Sequence, residues 1–68
     1  MQEFQLTSDY IELVKLLKKT GFAATGGHAK ILVDEGGVLL NGEPEFRKKA
    51  KLRAGDVIEV MGEKIRIK

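Results

Sequence analysis

The chain has no cysteine and no tryptophan, and only one proline, one serine, one histidine and one tyrosine in 68 residues. Without cysteine there is no disulfide framework and no thiolate metal site, and a core this small is marginal without such staples. A reducing compartment fits that lack. No segment approaches the roughly 18 apolar residues of a membrane span, and no signal-peptide pattern opens the sequence. The expectation is a cytoplasmic protein with no membrane partner, its residues 1–68 forming a single domain. The lone Ser8 sits where a helix cap is expected, and the lone His28 has no cysteine or second histidine near it, so neither nucleophilic nor metal chemistry has a constellation to work with. Glu43 and Glu45 flank a proline and read as a solvated pair. The spacing G-x-x-x-x-G-K-[ST] of a nucleotide-hydrolysing loop is absent. No enzyme activity, cofactor or metal is expected.

Charge, by contrast, is plentiful and unevenly placed. Residues 1–46 hold four lysines against seven acids, whereas residues 47–68 hold eight basic residues against three acids. An asymmetry of this kind suggests a polyanionic partner for one face; the alternative is a solvated lysine-rich surface.

The hydrophobic pattern predicts an α+β domain. "EFQLT" alternates as a short strand. Asp9 and Glu12 have capping-box spacing ahead of Ile11, Leu13, Val14, Leu16 and Leu17, which predicts a first helix from Asp9 to about Lys19, ended near Gly21. Thr25 is a preferred N-cap for a second helix with Ala29, Leu32 and Val33 as its apolar stripe and Gly36 as its left-handed terminator. "VLL" runs into Asn41-Gly42, a strong hairpin turn. Glu45 to Lys51 is expected to be extended. The last twelve residues predict a hairpin about Gly62-Glu63, pairing Val60 with Ile65, Ile58 with Ile67 and Glu59 with Arg66. The expected order is β-α-α-β-β-β-β: two N-terminal helices packed on a small, mainly antiparallel sheet.

Gly26 and Gly27 are then the odd feature, because glycine in a first helical turn costs roughly 1 kcal/mol relative to alanine. A bare helix N-terminus exposes backbone N–H groups and the positive dipole end to phosphate, and glycine lets a sugar-phosphate backbone approach. Close packing of the two helices, or a left-handed backbone, would also explain the pair. Lys30 lies one turn further in. "RKKAKLR", Arg47 to Arg53, carries five basic residues in seven, and in an extended chain Arg47, Lys49, Lys51 and Arg53 would project to one side toward successive phosphates.

"TGGHAKILVDEGGVLLNG" followed by "LRAGDVIEV" resembles the small RNA-binding domain named after ribosomal protein S4, the alpha-L RNA-binding motif. The matching positions are Thr25, Ala29-Lys30, Gly36-x-Val38-x-Leu40-Asn41-Gly42 and Gly55-Asp56-x-Ile58, over roughly Tyr10 to Val60. "LLK", the glycine pair and "RKKAK" resemble the stand-alone bacterial branch. The resemblance implies RNA binding through the second helix and the adjacent strand and loop, with Lys30 as the basic residue of that helix. Gly26 stands where many members have arginine. The residues expected at the RNA are Lys18, Thr25, Gly26, Gly27, His28, Lys30, Arg47, Lys48, Lys49 and Lys51. Recognition is expected through phosphates and shape, because aromatic residues are scarce and mostly at core-like positions. The partner expected is structured RNA, ribosomal or tRNA-like, in a ribosomal subunit or an assembly intermediate. A protein-interaction module and a DNA-binding accessory protein are the competing readings.

Overall fold

A computed structural model describes residues 1–68. The elements are β1 (Gln2–Phe4), β2 (Ile11–Glu12), α1 (Leu13–Lys19), α2 (Gly26–Asp34), β3 (Val38–Leu40), β4 (Glu43–Pro44), β5 (Lys51–Leu52), β6 (Val57–Val60) and β7 (Glu63–Ile67). Five strands make one sheet in the order β1-β7-β6-β3-β4, and β2 pairs β5 in a separate two-stranded ribbon. All pairings are antiparallel except β1 with β7. The α+β class and the helices-on-sheet arrangement are as expected. The strand count differs, since β2 is additional and the run from Glu45 to Lys51, expected to be extended, is replaced by the short strands β4 just before it and β5 at its end.

The core is one cluster between the helices and one sheet face, with no buried polar side chain. Leu13, Leu16 and Leu17 of α1, Ala29 and Val33 of α2, and Val38, Ile58, Ile65 of the sheet have no solvent exposure at all. On β7 the pattern alternates, so Ile65 and Ile67 face the helices while Lys64 and Arg66 project from the opposite face. Leu32, expected in the core stripe, is only half-buried at its edge.

Helix α1 begins later than the capping-box spacing predicts. Its N-cap is Glu12, which makes no side-chain cap bond, and the chain through Ile11 is extended instead. Two of the orphan donors of the first turn are met from elsewhere. The Leu13 N–H donates to Ala50 O at 2.9 Å and the Val14 N–H to Lys48 O at 3.2 Å. Backbone carbonyls of a distant loop thus do what Asp9 was expected to do. Ser8 caps no helix; its hydroxyl donates to Tyr10 O at 2.9 Å.

Helix α2 follows its local signals. Thr25 is the N-cap, extended, with its hydroxyl oxygen accepting the His28 N–H at 3.1 Å. Gly36 follows the last helical turn at φ 74°, a conformation that glycine adopts without penalty. Thr25→Ala is expected to lower stability by about 1 kcal/mol, read as a shifted urea midpoint at unchanged slope.

The final hairpin turns one residue earlier than predicted. Met61 and Gly62 occupy the two left-handed positions, at φ 53° and 76°. The register is therefore Ile58 with Ile65, Glu59 with Lys64 and Val60 with Glu63. A two-residue type I′ turn needs positive φ at both central positions, and glycine takes the second here as it does in Asn41-Gly42. The shift along the partner strand is even, so every side chain keeps its predicted face.

Candidate nucleic-acid interface

The exposed face of α2 is defined by helical spacing. Gly27, Lys30, Ile31 and Asp34 recur at intervals of three and four, opposite the buried Ala29 and Val33, and all four are exposed. From Gly27 to Asp34 this face runs about 10 Å along the axis. Gly26 and Gly27 have ordinary helical backbone, with neither at positive φ. A Cβ built on Gly26 would meet nothing within 4 Å, and one on Gly27 would meet only the Thr25 hydroxyl at 3.9 Å. Neither close helix packing nor left-handed geometry therefore accounts for the pair. The N–H groups of both glycines lack an acceptor within the protein. The imidazole of His28 turns back over this end, its Nδ1 accepting the Ala24 N–H at 3.3 Å.

The basic segment joins this face at the far end of the helix. Lys48 Nζ lies 3.2 Å from Asp34 Oδ1, and the Phe46 ring sits beside Gly36. The segment is not extended, however. Lys48 and Lys49 form a turn closed by the Ala50 N–H donating to Arg47 O at 3.1 Å. The turn is what delivers the two carbonyls that start α1, so tertiary hydrogen bonding outweighs the extended tendency of an alternating charged run.

The predicted stripe is accordingly divided. Arg47 is held by Glu45, its Nε donating to Oε2 at 3.1 Å and its Nη2 to Oε1 at 2.9 Å. Lys48 is paired as described. Lys49 stands free on the turn. Lys51 is on β5, in the ribbon with β2, over the ring of Tyr10. Lys18 is exposed on the last turn of α1 without a carboxylate partner, as is Lys30 on α2. The structure thus brings Thr25, Gly26, Gly27, His28 and Lys30 together at one helix end. It links Arg47, Lys48 and Lys49 to the other end, and sets Lys51 apart. The aromatic residues are not mostly core, because Tyr10 and Phe46 are 38% and 59% exposed.

The side-chain hydrogen bonds from Arg47 hold the Glu45 carboxyl below its ordinary range, and the same carboxylate raises the guanidinium. A folded pKa below the unfolded one means that Glu45 stabilises the fold at pH above its ordinary value of 4.5, and that this contribution is lost as pH falls through the lowered value. Glu45→Gln is expected to flatten that part of the acid limb in urea melts recorded from pH 4.5 downward.

The residues that most resemble a family signature prove architectural. Asn41 Oδ1 accepts the Val57 N–H at 2.9 Å and its amide donates to Asp56 Oδ1 at 3.2 Å, while Asp56 Oδ2 accepts the Arg53 N–H at 2.9 Å. Asn41 and Asp56 tie two turns together. Asp34 and Glu45, which select the cations left free, carry no signal in sequence spacing.

Comparison with known proteins agrees with this architecture. The S4 domain family profile matches residues 4–68. The chain is 36% identical over 58 residues to the putative RNA-binding protein YbcJ of Escherichia coli, covering 85% of this chain and 83% of that one. It is 39% identical over 57 residues to the probable ribosome maturation protein RlbA of Bacillus subtilis, covering 84% and 80%. The solution structure of E. coli YbcJ, described as an alpha-L motif involved in RNA binding, superposes with a TM-score of 0.74 at 35% identity, over 98% of this chain and 86% of that one.

Proposed function

Because this chain belongs to the S4 domain family, we propose that it is a non-enzymatic cytoplasmic module that binds structured RNA through the exposed face of α2 and the adjoining loop. The observation that carries the reading is the start of α2. Two backbone N–H groups there lack acceptors, the two glycines that carry them add no side chain of their own, and an unpaired lysine stands one turn away. That combination suits a phosphate: the donors and the dipole end supply the attraction, and the bare glycines supply the clearance. Lys30, Lys49 and the outer edge of Arg47 then meet further phosphates, positioning the protein by shape rather than by base sequence. The relation to a probable ribosome maturation protein supports ribosomal RNA, or an assembly intermediate of a ribosomal subunit, as the target.

Crosslinking in cells followed by sequencing of the bound RNA tests the target. Recovery of protein alone, or of DNA in preference to RNA duplex in competition, would reject the reading. Gly27→Ala tests the mechanism. With helical φ and open space at the new Cβ, alanine is expected to leave stability equal or to raise it by up to about 1 kcal/mol. The methyl group lies where the phosphate must approach, so RNA affinity is expected to fall in the same variant. Stability and affinity falling together would reject phosphate access at this end.

A further inference from the structure

The β2–β5 ribbon carries a second constellation, separate from the α2 face. Ile11 pairs Leu52 and Glu12 pairs Lys51, and both apolar partners are buried. Continuing that register sets Tyr10 opposite Arg53, with Tyr10, Glu12, Lys51 and Arg53 all on the outer face. The side chains confirm it. Lys51 Nζ is 5.0 Å and the Arg53 guanidinium carbon 5.6 Å from the centroid of the Tyr10 ring. Neither cation has a carboxylate within 4 Å, although Glu12 is directly across from Lys51, because the Glu12 carboxylate lies nearer Lys15, at 3.9 Å. Two like charges are thus gathered at one ring, and neither is in an ion pair.

The same tyrosine lines a surface groove of about 450 Å³ between the chain leaving β1 and the start of α1. Phe4, Leu6 and Ile11 give it apolar wall, and Lys15 and Lys19, one helical turn apart, add two more cations. Its size falls in the roughly 300–1,000 Å³ range of small-ligand sites. An aromatic ring with Lys51 and Arg53 over it, and beside it a groove with apolar wall whose two lysines face one carboxylate, complement a flat, π-faced group carrying negative charge, which describes a nucleotide.

We propose that Tyr10, the groove beside it and the cations Lys51 and Arg53 hold an unpaired nucleotide that flanks the RNA duplex gripped by α2. The base lies in the groove against the tyrosine, and its phosphate is met by the cations. This rests on the RNA-binding reading above and adds to it a single-strand contact, so the target is a junction of paired and unpaired RNA rather than a plain duplex.

The probes are an RNA hairpin and the same hairpin with a short single-stranded uridine tail, compared at low salt. A tail is expected to raise the affinity of the unaltered protein at least about fivefold, the lower end for one stacked base. Tyr10→Ala is expected to abolish that gain while leaving hairpin affinity unchanged. Tyr10→Phe should retain it, and Arg53→Gln should reduce it. Because the chain has one tyrosine, protein grown with 3-fluorotyrosine shows a single ¹⁹F resonance. That resonance should shift with the tailed RNA and stay in place with the untailed one. Thermal melts establish that each variant is folded, and the ¹⁹F reading needs no variant. Equal binding of both probes, with the resonance unmoved, would overturn the single-strand site and leave duplex binding intact. Failure to bind either probe would remove the RNA-binding reading and this site with it.

Discussion

Leu16→Ala is expected to lower stability by about 2–5 kcal/mol. Leu16 has no solvent exposure and sits with Leu13 and Leu17 in the layer that α1 presents to α2 and the sheet. Removing its branched end leaves a cavity that a helix only seven residues long, pinned at its start by two loop carbonyls, relaxes poorly to fill. In a domain of this size about 1 kcal/mol corresponds to roughly 4–8 °C, so the melting temperature should fall by roughly 8–40 °C. Total stability of such domains is about 5–15 kcal/mol, and much of the population should unfold at moderate temperature. Leu32→Ala is the informative comparison. Leu32 is half-buried at the core edge, so its truncation should cost clearly less than that of Leu16. Equal losses from the two variants would show that the buried layer of α2 has been wrongly assigned.

The largest functional loss is expected from combining Lys30→Ala, Arg47→Ala and Lys49→Ala. All three side chains are exposed, and none contributes to the core. If each neutralises one phosphate, each adds close to one unit to the slope of log affinity against log salt, and roughly tenfold in affinity near 0.1 M salt. The triple variant should therefore bind RNA roughly 100- to 1,000-fold more weakly, with a slope shallower by about two to three units. Arg47 is expected to give less than a full unit, because Glu45 already holds two of its donors. Lys64→Ala with Arg66→Ala removes two cations from the opposite sheet face, and this pair should leave both affinity and slope nearly unchanged. Equal losses from the two sets would mean that net charge, and not the α2 face, attracts the RNA.

Much of this architecture was legible in the sequence because its signals act over three or four residues. Thr25 caps α2 by reaching the N–H three positions on, and Gly36 ends it by its own φ. Asn41-Gly42 makes its turn from two adjacent residues, and alternation along β6 and β7 sorts side chains to the correct faces even where the turn was placed one residue late. The same locality explains the failures. Asp9 and Glu12 have the spacing of a cap, but a capping box competes with any other acceptor that the fold brings close. Ala50 and Lys48, far along the chain, supply those acceptors.

The sequence by itself determined the α+β class, the family motifs, the bare start of α2 and the asymmetry of charge. Each of these follows from residue identity and short spacing. Only the tertiary structure decided which charges are free to act. Asp34 neutralises Lys48 across the helix–loop contact, Glu45 engages Arg47, and Lys30 and Lys49 are left unpaired. It also decided that Tyr10 stands on the surface beneath Lys51 and Arg53. Charge pairing and ring exposure depend on distances of a few ångströms between residues remote in the chain, and composition carries no record of those distances until the backbone has folded.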